Sequence, residues 1–80
     1  MTAIEKVTKN YSKANESLMY ICGGEFNGLL IGINSKSHLN CVREKILLDY
    51  CFNSFDIEGV EHLKIVLLFL KDVYDNLHSA

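Results

Sequence analysis

Apolar residues recur along this chain at more than one spacing, and the changes of spacing divide it into elements. Over residues 1–16, Ile4, Val7, Tyr11 and Ala14 alternate steps of three and four, and Leu18 and Ile21 continue the series. That is the repeat of an amphipathic helix. Thr8, Asn10, Ser12, Asn15 and Ser17 interrupt it with residues that favour caps and turns over helix interiors. The spacing therefore predicts a short or frayed helix, roughly Ala3 to Lys13.

Over residues 17–33 the pattern becomes two apolar runs, Leu18–Cys22 and Leu29–Ile33, separated by Gly23-Gly24-Glu25-Phe26-Asn27-Gly28. Short apolar runs on either side of a Gly/Asn-rich loop read as a β-hairpin. A rival reading extends the first helix to Cys22 and caps it with Gly23. It leaves Leu29–Ile33 in a loop, where apolar side chains and backbone groups both need partners. The hairpin is the preferred reading for that reason.

From residue 37 the helical period returns. Ser37 or Asn40 can cap a helix in which Leu39, Val42, Ile46, Leu47 and Tyr50 share a broad face. Asn53-Ser54-Phe55-Asp56 closes it, with Asp56 placed to cap the next. Ile57 to Leu77 carries the strongest helical signal. Val60, Leu63, Val66, Leu67, Leu70, Val73, Tyr74 and Leu77 fall in one arc at 100° per residue, the expected core face. The predicted fold is α+β: an N-terminal helix, a hairpin, then an antiparallel helical pair over 37–78, packed around Leu47, Tyr50, Leu63, Leu67 and Leu70. An all-α three-helix arrangement is the alternative.

Ile65, Leu68 and Phe69 lie outside that arc, so the last helix is apolar on a second face through its middle turns. Either that face is covered by the rest of one domain, or it is left for a second chain. With Asp72 at its rim it is the candidate partner interface: Ile65, Leu68, Phe69 and Asp72. Eighty residues suffice for one domain spanning 1–80, and chains this short bury a modest share of their surface.

Charge narrows the partners. Eight Lys and Arg against ten Asp and Glu leave a net charge of -2, which lacks the field that collects phosphates, so no nucleic-acid partner is expected. The polar stretch Met1–Asn10 has no signal-peptide apolar core, and the longest apolar run, Ile65–Leu70, falls far short of a membrane span. A cytoplasmic protein without a membrane span is expected. Cys22, Cys41 and Cys51 are odd in number and widely spaced, which predicts reduced, mostly buried thiols and no disulfide framework or zinc site.

Site chemistry is sparse. His38, His62 and His78 read as surface or boundary imidazoles. Glu61 and His62 are adjacent and do not face each other on a helix. The glycine-rich stretch lacks the Lys-Ser/Thr ending of a phosphate-binding loop and the spacing of a dinucleotide fingerprint. No catalytic, cofactor or metal residues are assigned. The expected function is that of a small non-enzymatic interaction module, a regulator, inhibitor or adaptor that occupies the surface of a protein partner or of a second copy of itself. An oligomeric module that sequesters a small ligand or nucleotide is the alternative. The short, proline-free, acidic composition is of the kind found in accessory proteins of phages, plasmids and secretion systems.

Overall fold

The computed structural model describes residues 8–26, 28–53 and 56–77. These form three α-helices: α1 (Thr8–Cys22), α2 (Lys36–Asn53) and α3 (Ile57–Asn76). Two single 3₁₀ turns, Gly24–Phe26 and Leu30–Gly32, lie in the connection between α1 and α2. The described residues contain no strand, so the α+β expectation is overturned and the three-helix arrangement is the fold. Ile4, Val7, Ser54, Phe55 and His78 lie outside the described residues, as does the side chain of Cys51.

The expected hairpin fails for reasons visible residue by residue. In a strand, Leu18, Tyr20 and Cys22 would share one face, with Met19 and Ile21 on the other. Instead Ala14, Leu18 and Ile21 are buried, while the adjacent pair Met19 and Tyr20 is exposed. Only a 3.6-residue period divides them that way. Helix α1 runs on to Cys22 and ends where Gly23 takes φ +82° and its N–H reaches the Met19 carbonyl at 2.9 Å. Glycine suits that left-handed position because it has no Cβ to clash.

The second apolar run is also no strand. Leu30 and Ile33 are buried, and Ile31 between them is 61% exposed. A spacing of three matches a 3₁₀ turn and not the two-residue repeat of a strand. The backbone groups for which the hairpin reading requires a strand partner are satisfied locally: Leu29, Ile31 and Ile33 donate to the carbonyls of Phe26, Gly28 and Leu30 at 3.0, 3.3 and 3.4 Å. The connection thus contributes two full core side chains, each stabilising by about 1.5–3 kcal/mol on burial.

Helix α2 is capped two residues before Ser37, the earlier of the two expected caps. The Ser35 hydroxyl accepts the His38 N–H at 3.0 Å, the N-cap role expected of Ser37 or Asn40. Leu39, Val42, Ile46 and Tyr50 form its buried stripe; Leu47, expected at the centre of the core, stands at its margin and is exposed. Helix α3 begins as its sequence predicts, with the Asp56 carboxylate accepting the Gly59 N–H.

Tyr11 meets Phe69 and Ser17 meets His62, so α1 and α3 run antiparallel. Lys36 lies over Tyr74 at the start of α2 and the end of α3, so these two are antiparallel as well. It follows that α1 and α2 point the same way. The connection from Gly23 to Ser35 must travel back along the bundle, and its burial of Leu30 and Ile33 is what makes that return part of the core.

Helix α3 packs far more extensively on α1 than on α2. Its buried residues are Gly59, Val66, Phe69, Leu70 and Val73. The true core arc is therefore rotated from the predicted one towards α1. Phe69 moves in, and Val60 and Tyr74 move out to 39% and 37% exposure.

Candidate interaction surface

The expected interface residues are brought together, but they are not equivalent. Ile65, Leu68, Phe69 and Asp72 line one groove of about 330 Å³ on the α1 flank of α3, and Asn10 and Lys13 of α1 form its other wall. Phe69 is only 2% exposed and packs its ring against Tyr11, with centroids 5.9 Å apart. It forms the floor of the groove and belongs to the core. Leu68, at 64% exposed, is the side chain that projects. Ile65 is half-buried beside it, and Asp72 and Lys13 place opposite charges at the polar edge. Asn10 and Lys13 could not be found from the periodicity of α3, because they lie on α1 and which face of α1 meets α3 depends on how the two helices dock.

On the α2 flank of α3 lies a second groove, of about 420 Å³, lined by Leu39, Asn40, Arg43, Leu67, Leu70, Lys71 and Tyr74. It exists because α2 and α3 meet loosely. Leu67 and Leu70 were expected at the centre of the core. Leu70 is buried, whereas Leu67 remains half-open to this groove.

One polar cluster escaped the sequence reading. The His62 Nδ1 lies 2.9 Å from the Ser17 Oγ, 45 residues away in the chain, and its Nε2 lies 3.9 Å from Glu58 one turn earlier. The Tyr20 ring covers the imidazole at a centroid distance of 4.3 Å. The spacing of Glu58 and His62 was legible as an i, i+4 pair; the Ser17 contact was not, since it depends on how α1 docks. Serine, imidazole and carboxylate in that order are the elements of a nucleophilic triad. Ser17, however, is 2% exposed within a helix and lines neither groove on α3. The arrangement gives a buried hydroxyl its hydrogen bond and pins α1 to α3. Partial desolvation, with Asp56 and Glu58 nearby, holds the Tyr20 phenol above its ordinary pKa.

Among the thiols, expected to be mostly buried, Cys22 is buried and Cys41 is exposed. It sits on the outer surface of α2 with His38 and Lys45, beside Leu29 of the connection. No described helix is long and apolar enough to cross a membrane. Among the described residues, no group of three or more His, Cys, Asp or Glu is placed to hold a metal ion. No protein-family model, curated protein or solved structure matches this chain.

Proposed function

We propose that this chain is a non-enzymatic interaction module that acts by occupying the surface of a protein partner or a second copy of itself. The observation that carries the reading is Leu68. It is mostly exposed in the middle of the most apolar helix, lining a groove with an aromatic floor and a charged edge. Each CH₂ or methyl group removed from water there contributes about 0.8 kcal/mol. Lys13 and Asp72 would fix the orientation of the partner more than they add to its affinity. Regulation, inhibition and adaptor activity are all exercised through such contacts.

The test is Leu68→Glu. Its side chain is mostly solvated, so the variant is expected to keep the wild-type circular dichroism spectrum and a cooperative melt, lowered by no more than about 8 °C. Light scattering behind a sizing column would read self-association, and activity in cells would read partner contact. Loss of either in a folded variant supports the proposal. A folded variant that matches wild type in mass, partner capture and activity in cells refutes it.

A further inference from the structure

The α2–α3 groove differs from the Leu68 surface in its charge. Along α3, Val60, Leu67 and Tyr74 recur every seven residues, as do Leu63, Leu70 and Leu77. These are the two apolar positions of a heptad seam, the pattern that buries itself against other helices. Here only Leu70 is fully buried. Leu63, Leu67 and Leu77 are half-buried, and Val60 and Tyr74 remain exposed. The seam is built for more helix contact than α1 and α2 provide.

Its borders are basic on both sides. Lys71 and Arg43 line the groove from α3 and α2. Lys64 lies one heptad before Lys71 on the same edge of α3, and Lys36 one heptad before Arg43 on α2, with its ammonium 4.9 Å from the Tyr74 ring centre. Two cations thus line the groove, Lys36 sits over the Tyr74 ring in its wall, and Lys64 shares the heptad edge of Lys71, in a chain with eight cations and a net charge of -2. Two of these cations already have acidic partners: Glu61 pairs with Lys64 at 3.6 Å and Asp75 with Lys71 at 3.0 Å, while Glu44 follows Arg43 and Asp72 follows Lys71 in the chain. Both pairing acids lie outward of the lysines, away from the seam. These exposed pairs hold their partners weakly, and each ammonium keeps further donors for an incoming carboxylate.

We propose that the α2–α3 groove binds an acidic amphipathic helix of a partner protein, whose apolar heptad positions complete the seam and whose flanking carboxylates meet Lys36, Arg43, Lys64 and Lys71. This is the helix-in-groove mode of recognition, with charge selecting the partner. It concerns a surface separate from Leu68 and stands or falls independently of that surface.

The probe is a synthetic peptide about three heptads long, with Leu at both seam positions and Glu at the flanking positions. Its own glutamates repel, so it stays unfolded when free and gains helicity on binding. A control peptide carries Lys in place of Glu. The full-length chain is titrated with each while helicity, fluorescence anisotropy and amide chemical shifts are followed. The expected result is binding of the Glu peptide alone, with shifts at Leu39, Leu67 and Tyr74. Charge reversal by Arg43→Glu with Lys71→Glu is expected to weaken it by about tenfold or more. Both replaced side chains are exposed, and an unchanged melting profile would verify the fold. Five results would overturn the proposal: no binding, equal binding of both peptides, shifts confined to the Leu68 groove, indifference to charge reversal, or a wild-type dimer that the reversal dissociates. The last would make a second copy the occupant. The Leu68→Glu variant is expected to bind the Glu peptide like wild type, which separates this outcome from failure of the Leu68 surface.

Discussion

Two consecutive residues on α3 offer a direct test of how this chain is built. Phe69 is 2% exposed and Leu68 is 64% exposed, although the sequence pattern places both outside the expected core arc. Phe69→Ala removes a ring from full burial and leaves a cavity against Tyr11, at a cost of about 3–5 kcal/mol. The tilted ring pair contributes about 0.5–1.5 kcal/mol of that beyond area burial. Leu68→Ala removes a side chain that covers about a third of its surface. Scaling the roughly 1.5–3 kcal/mol of a fully buried leucine gives a loss of about 0.5–1 kcal/mol. Net stability for a domain of this length is on the order of 4–12 kcal/mol, so the first change removes from about a quarter to all of the margin and the second at most about a quarter. Urea unfolding followed by circular dichroism reads both. With a slope near about 1 kcal/mol/M, the midpoint is expected to fall by about 3 M or more for Phe69→Ala and by about 1 M or less for Leu68→Ala. Equal shifts, or a larger one for Leu68→Ala, would mean that α3 is rotated about its axis relative to α1, and the Leu68 groove would lose its basis.

Two further outcomes test the turns and the polar cluster. Gly23→Ala is expected to cost about 1–2 kcal/mol because its φ of +82° penalises any side chain even in open space, whereas Gly24→Ala, at ordinary φ with nothing near, should be neutral or slightly stabilising; paired thermal melts would show the difference. The Tyr20 phenol has a raised folded-state pKa, so its contribution is fully present below its unfolded value and is lost as pH rises through the folded one. Melting temperature should therefore fall above about pH 10, less steeply in Tyr20→Phe, and the ultraviolet difference between the two proteins should place that phenol's ionisation late; identical alkaline profiles would refute the assignment.

The helical period, Asp56 as a cap and the extent of α3 were legible because each depends on residues within one or two turns of one another. Both expected interface residues that project, Leu68 and Asp72, lie where the periodicity of α3 puts them. Phe69 could not be separated from Leu68 in the same way. A helix wheel gives the angle between residues, but not which angle the neighbouring helix covers. That choice belongs to α1, whose continuation to Cys22 was itself ambiguous: Leu18–Cys22 fits either a short strand or a last helical turn, and Gly23 suits both endings. Once α1 is helical, its long contact with α3 draws Phe69 inward and joins Ser17 to His62. It also leaves α2 loosely seated, so that Val60, Leu67 and Tyr74 stay open beneath a basic rim. Local spacing therefore determined the type of two helices and the apolar faces they carry. Tertiary packing decided which of those faces was covered, because burial depends on where the other helices lie and not on the sequence of the helix being buried.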